Sequence, residues 1–575
     1  MIQSLSLGNF KAFGPTQQVA IKPLTLIFGP NSAGKSSIIH GLLLSHHAMQ
    51  TDNLDAHLMN ISGESVDLGG FRQYVFRRDV TRLVDIAFSF QASEVADCID
   101  NARSTTWGVD RKSEDWRNIL NTASTIGIVV NVGIKTDDFG RVVPGASPEL
   151  KAFEVTINQD SILRFALRPD RGAKSGFMLG GHPVIEAMIK AIVSAYSWHE
   201  VGDEIELATL RDHVYSLVTD LQVTPGNFIP LGLARPKTDK EVQLPHVPMS
   251  KPNRMNEFKN ALDIYFPQLF NELLLGIRTV SENNFGMLSY LGPLRSYPPR
   301  HLAFHQQRDS NWYAGGGYAW ELVMNNAEVR ANVNRWLNSP DHLQTPYELA
   351  VKDLVPMDEN SKRAIADELE EIGDTGLDEI IDSYDKEGNP ERTATVIKDP
   401  ESASERIQDR MVQTSTGKLQ ELVMIDNHYR PPVPVTHRDV GVGVSQVLPV
   451  LAYAYAYKNK LIAIEQPEIH IHPKLQAELA DVFIESALGE RKNTFLLETH
   501  SEHLILRIMR RMRETFEARL PKGLPAIRPK DVSILFVEPT ANGSIVREME
   551  LNERGELVKA WPGGFFEEGL NEAFA

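Results

Sequence analysis

Residues Gly29, Pro30, Asn31, Ser32, Ala33, Gly34, Lys35 and Ser36, with Ser37 beside them, fit the pattern G-x-x-x-x-G-K-[ST]. The chemistry of that spacing is phosphate binding. Backbone N–H groups of a glycine-bearing loop converge on a β-phosphate, and the helix start behind them adds the positive end of its dipole. Lys35 brings a point charge to the β- and γ-phosphates, and Ser36 offers its hydroxyl to Mg²⁺. The implied ligand is ATP with Mg²⁺.

Three further segments carry chemistry. The first is IAIEQPEIHIHP, residues 462–473, where an apolar run ends in Glu465, a carboxylate suited to holding Mg²⁺ through water. The second, TFLLETHSEH, ends a similar run in Glu498-Thr499-His500, and His500 is placed to sense a γ-phosphate. The third, DVGVGVSQVLPVL, puts Gly441, Gly443 and Ser445 just before an apolar helix, again an anion-binding start. After Glu465 comes Gln466, which orients water but cannot accept a proton as a carboxylate does; Glu468, two residues on, is the alternative base. Slow hydrolysis with a long-lived ATP state is the expectation.

Other residues have plainer readings. His470/His472 and His500/His503 allow a metal site, but the strand-to-helix context accounts for His500 without zinc. Arg507, Arg510, Arg511 and Arg513 fall within two helical turns and read first as a solvated face or a contact with an acidic partner. A nucleic-acid backbone contact is the functional alternative. The acidic stretch 358–382 reads as a solvated helix or arm.

The elements that position these groups follow from patterning. LTLIFG, residues 24–29, is a short apolar run closed by a Gly-Pro break, hence a buried strand, and the segment from Ser36 has helical spacing. Strands are expected over 82–95, 126–134 and 151–166, and helices over 183–197, 257–275 and 319–338. From about 418 the pattern is strand, helix, strand (461–466), helix, strand (494–500), helix, and a closing pair of strands.

At 575 residues two or three structural units are expected, and a net charge of −17 argues against general nucleic-acid coating. The single cysteine, Cys98, rules out an intramolecular disulfide framework and suits a reducing cytoplasm. The start MIQSLSLGNF lacks the features of a signal peptide, and no apolar run reaches the roughly 20 residues of a membrane span. A cytoplasmic protein without membrane partners is expected.

In order, phosphate loop, long insertion, glycine-serine helix start, carboxylate strand and histidine strand resemble the ABC-type ATPase head. The wording EQPEIHIHP, then THSEHLI and WPGGFF, is similar to OLD-like ATPases of bacterial anti-phage defence, of the PtuA type in Septu and retron systems first and the AriA type second. The resemblance implies an α/β fold: an ABC-type P-loop head, a mixed sheet with flanking helices, split by a large α+β and helical insertion. It implies lobes over 1–95 and 410–575 and an insertion over 96–409. It further implies that two copies dimerise head to head, Gly443 and Ser445 of one capping ATP on the other. Gln50 and Gln73 both compete for the remaining glutamine of the usual set. Partners implied are an effector nuclease, HNH type before Toprim type, and the reverse transcriptase and DNA-RNA hybrid of a retron. The alternative is an SMC-like DNA-repair or chromosome-maintenance ATPase acting on DNA ends, which predicts long heptad arms.

Overall fold

The computed structural model describes residues 1–101, 120–121, 123–137, 141–143, 145–167, 174–178, 181–196, 204–224, 228–234, 254–295, 310–339, 342, 344–354, 359–384, 390–397, 400–414, 419–435 and 442–566. Gly441 and the residues just before it lie outside this set. The chain divides into two compact units, one of residues 1–296, 309–319 and 442–575, the other of residues 297–308 and 320–441.

The first unit holds a six-stranded sheet in the order Leu288–Leu291, Leu461–Glu465, Thr494–Glu498, Leu24–Phe28, Val532–Glu538, Ile545–Glu548. Its first five strands run parallel and the last is antiparallel. In the three central strands every residue is buried. That is why LTLIF, LIAIE and TFLLE read as nearly continuous apolar runs: a parallel sheet covered on both faces leaves no side for polar alternation. Carboxylates appear at the strand ends, where the sheet gives way to loops.

A seven-stranded antiparallel sheet completes this unit, in the order Lys174–Met178, Asp160–Leu167, Pro148–Ile157, Thr125–Ile134, Val84–Gln91, Ser4–Gly8, Gln17–Ala20. Val84–Gln91 alternates buried with half-buried or exposed residues, the mark of a sheet with one face on the core. This sheet crosses the boundary expected at residue 95, because Val84–Gln91 pairs directly with Thr125–Ile134. The segment 82–95, expected as strand throughout, turns helical at Ala92. The expected strand 151–166 is a hairpin, turned by Asn158 and Gln159 in left-handed conformation. The helix expected over 257–275 runs from Arg254 to Gly286.

Between the two sheets lies the phosphate-loop helix, Ser36–Thr51. Ile38, Ile39, Leu42 and Leu43 join one core with Leu5, Phe88, Ile27 and Leu496. Gly41 lets it approach closely: a Cβ there would meet Leu7 Cδ1 at 2.5 Å.

The second unit contains a three-stranded sheet, Tyr347–Leu354, Leu419–Asp426, Val433–Val435, and a separate hairpin, Leu377–Tyr384 with Pro390–Ile397. The single helix expected over 319–338 is two, broken at Asn326, whose side chain caps Ala327–Asn338 by accepting from the N–H groups of Glu328 and Val329. The acidic stretch expected as helix to residue 382 is helical only over Glu359–Gly376; Gly376 ends it and the hairpin begins. Arg406 from Pro400–Thr414 pairs with Glu368 at 2.6 Å and Glu371 at 3.2 Å.

Candidate nucleotide site

The phosphate loop leaves the central strand at Phe28. Gly29 has φ +146° and lies so close to Val537 that a Cβ would meet its carbonyl oxygen at 2.4 Å. Ser32 and Gly34 take positive φ, 61° and 94°, and a Cβ at Gly34 would meet that of Ala12 at 2.2 Å. Left-handed residues within a short loop turn successive N–H groups inward, the concavity a phosphate needs. Lys35 Nζ donates to the carbonyl oxygens of Gly29 at 3.1 Å and Pro30 at 3.0 Å. Burial lowers its pKa, opposed by Glu498, Glu468 and Glu465. A second copy of the same logic supports the loop from behind: Ser544 Oγ donates to the Ala33 carbonyl at 2.6 Å.

Opposite Lys35 stand three carboxylates. Glu465, Glu468 and Glu498 are 7%, 9% and 5% exposed, and Lys35 is 4% exposed. Glu465 and Glu498 are register partners on adjacent parallel strands, so they leave the sheet at one level. Burial first, and then the Glu498 charge, raise the Glu465 carboxyl to about 7. Burial also raises Glu498, against a hydrogen bond from Ser36 and the charge of Lys35. Ser36 thus faces Glu498, and Glu465 and Lys35 share the same charge field.

Glu465 is held on its other side by residues that patterning had not connected with it. Tyr290 Oη donates to Glu465 Oε1 at 2.9 Å. His40 Nε2 lies 3.7 Å from the same oxygen, while its Nδ1 is 2.7 Å from Lys11 Nζ. An ammonium only donates, so Nδ1 accepts and the ring proton sits on Nε2, toward the carboxylate. Burial, then the Lys11 charge, drop His40 to about 3, so it is neutral. Lys11 itself is lowered by burial, opposed by Glu465 and Asp67.

Arg295, noted in the sequence only as one of two arginines in a Pro/Gly-rich segment, is a buried strut. Its guanidinium donates to the carbonyl oxygens of Gln446 at 3.2 Å, Glu465 at 3.1 Å and Gln466 at 3.0 Å. Gln446 Nε2 returns a bond to the Arg295 carbonyl at 3.1 Å. Burial lowers Arg295 to about 10, opposed by Glu468. The glycine-serine helix start and the carboxylate strand are therefore tied by one side chain. Nothing in the spacing of YLGPLR could reveal this, since the partners lie some 150 residues or more along the chain.

Gln466 takes φ 46°, and its N–H donates to the Glu498 carbonyl at 2.7 Å. Glu468 accepts from Thr499 Oγ1 at 2.8 Å and from the His500 N–H at 2.7 Å, so both its oxygens are engaged. His500 is half-buried, and burial followed by the Lys35 charge lowers its pKa, leaving a neutral ring. The helix after it starts on Ser501, whose Oγ accepts from the Leu504 N–H and donates to Gln476 Oε1 at 2.7 Å.

Gly443 and Ser445 lie in the first turn of the helix Val442–Ala456. Gly443 faces the His470 carbonyl, and Ser445 is 3% exposed within its own chain. Gln50 and Gln73 are both exposed, Gln50 near the far end of the phosphate-loop helix. His472 serves as an N-cap, its ring accepting from the Lys474 N–H, and His503 is exposed. Among the described residues no group of three or more His, Cys, Asp or Glu could hold a metal ion. The arginine run is split: Arg507 and Arg511 turn inward onto Asp481, Arg511 also binds Glu514, and Arg510, which pairs with Glu514, and Arg513 are exposed.

These residues fit ATP with Mg²⁺. A cationic loop faces carboxylates, and Glu498 Oε2 is buried with no hydrogen-bond partner, as a cation-seeking oxygen would be. Lys35, Ser36 and the loop N–H groups would hold the phosphates; Ser36 and Glu465 would hold the metal, which supplies charge neutralisation when bound.

Residues 328–505 match the family described as AAA ATPase domain, and residues 527–575 match a protein of unknown function, DUF3696. No curated protein matches. Among solved structures, the SmcHead bound to the C-winged helix domain of ScpA is similar at 10% identity and TM-score 0.34, covering 96% of this chain and 98% of that one. An Smc head domain with an extended coiled coil, derived from Pyrococcus furiosus, gives 10% and 0.32, covering 100% and 98%. The SMC head domain from Thermotoga maritima gives 8% and 0.31, covering 96% and 99%. TM-scores this low do not amount to a shared topology. The chain carries an ATPase domain of mixed α/β architecture. No helix among the described residues is long and apolar enough to cross a membrane.

Proposed function

We propose that this protein binds ATP between Lys35 and the carboxylates Glu465 and Glu498, hydrolyses it slowly, and uses the bound state to associate head to head. The observation that carries the reading is the facing of Lys35 and Ser36 against strand-end carboxylates in one buried site. Slow hydrolysis is supported by Gln466 in the place of the usual acid and by Glu468, whose two oxygens already accept from Thr499 and His500. Capping by Gly443 and Ser445 of a second copy would require this helix start to open, since Ser445 is buried; Arg295 gives it a direct link to Glu465 and Gln466.

The resemblance to OLD-like defence ATPases extends the reading: the ATP-closed state controls a separate effector nuclease, HNH type in preference to Toprim type, in anti-phage defence.

Light scattering on the purified protein tests the core of this. Mg²⁺·ATP is expected to shift it toward a dimer, with turnover well below one per second, while Lys35→Ala loses ATP binding about 100-fold or more and stays unassembled. Gln466→Glu is expected to raise turnover about tenfold or more, within the range of general-base contributions. Robust turnover that Glu468→Gln abolishes and Gln466 variants leave alone would overturn the slow-hydrolysis reading.

A further inference from the structure

We infer that Glu498 is a second carboxylate of the divalent-cation site, acting with Ser36 and Glu465 on the metal that accompanies ATP. This rests on the ATP-site reading above and goes beyond it by assigning a residue. In the run Glu498-Thr499-His500 attention falls on the histidine. The Thr499 hydroxyl and the His500 backbone N–H both go to Glu468. Glu498 lies in the field of the phosphate-loop Lys35.

Three observations converge on it. Glu498 is the register partner of Glu465, so two carboxylates project at one level from strands roughly 4.8 Å apart. Its carboxylate lies beside the Ser36 hydroxyl, the group that the loop motif offers to metal, which opposes the upward push of burial. A hydroxyl turned toward a carboxylate keeps two lone pairs, so Ser36 can bind a cation while it stays beside Glu498. Lastly, Glu498 Oε2 is buried and has no hydrogen-bond partner, a costly state unless a ligand satisfies it.

A hard cation answers all three. Mg²⁺ prefers oxygen ligands and is bound through one or two carboxylates together with substrate phosphates. The backbone explains why the second acid comes from a neighbouring strand. Gln466 adopts φ 46° and turns out of the sheet directly after Glu465, so position 466 cannot continue the row. The next acid at that level is Glu498.

The competing explanation is that Glu498 only balances Lys35, which faces it. Removing its charge would then disturb nucleotide binding whether or not metal is present. The test uses the full-length protein, Mn²⁺ as probe by electron paramagnetic resonance in the presence of ATP, and a fluorescent ATP analogue in EDTA. For Glu498→Gln we expect Mn²⁺ affinity to fall tenfold or more, with analogue binding in EDTA unchanged or tighter. Glu498→Asp, which keeps the charge on a shorter arm, is expected to lose less and serves if the Gln variant fails to fold. Mn²⁺ affinity within twofold of wild type, or equal weakening in EDTA and in Mn²⁺, overturns the assignment alone. Absence of nucleotide binding by the wild-type protein overturns the ATP-site reading and this assignment together.

Discussion

The two sides of the nucleotide site are built by opposite strategies. The cationic side is local: Lys35 is held by the carbonyl oxygens of Gly29 and Pro30, six and five residues away. The carboxylate side is assembled from strand ends far apart in the chain, and it is electrostatically strained. Glu465, Glu468 and Glu498 are all pushed upward by burial. Sequence-local geometry satisfies its own polar groups, whereas groups collected from distant strands rely on one another and on a ligand.

The largest expected effect tests the long-range side at its strut. Arg295→Met removes three bonds to backbone carbonyls and leaves Glu468 without its facing charge, so a loss of about 3–5 kcal/mol in denaturant unfolding is expected. Adding Glu468→Gln to that variant should cost less than it does in wild type. Strict additivity would break the claim that the two are coupled.

A smaller effect follows from protons. The Glu465 carboxyl is raised from 4.5 to about 7 in the folded protein. Between those values the fold holds a proton that the unfolded chain has released. Its stabilising contribution is therefore full below 4.5 and is lost as pH rises toward 7. The nucleotide-free protein should show a melting temperature that declines across this window, and Glu465→Gln should flatten the decline. An unchanged slope in that variant would assign the strain elsewhere.

The smallest effect belongs to the cationic side, at a single brace on the phosphate loop that comes from far along the chain. Ser544→Ala deletes one bond to the Ala33 carbonyl and is expected to cost about 1 kcal/mol, read as a few-fold weaker ATP binding by titration. A loss as large as that of Arg295→Met would erase the distinction between the two sides.

Legibility in the sequence followed the same divide. LTLIF, LIAIE and TFLLE were readable as buried strands because full burial leaves them only Thr25, Thr494 and the terminal Glu465 and Glu498 as polar residues. The phosphate loop was readable because its glycines, lysine and serine fall at a fixed spacing within eight residues, even though Val537 and Ala12 hem in Gly29 and Gly34 from elsewhere in the chain. The hairpin at Asn158 and Gln159 escaped patterning because two non-glycine residues take left-handed conformations that composition does not announce. The hairpin after Gly376 was absorbed into an acidic run whose charge masked the change of element.

By itself, then, the sequence determined the strand-loop-helix that cradles phosphate and the strands that end in Glu465 and Glu498, since these depend on local spacing and on burial. The tertiary structure decided what surrounds the carboxylates: Tyr290 and His40 on Glu465, Arg295 across Gln446, Glu465 and Gln466, and Thr499 on Glu468. Those contacts span tens to hundreds of residues and arise from sheet order and register, which no periodicity records. A carboxylate's identity is written in the chain, but its partners, and so its charge state, are set by the strands that come to lie beside it.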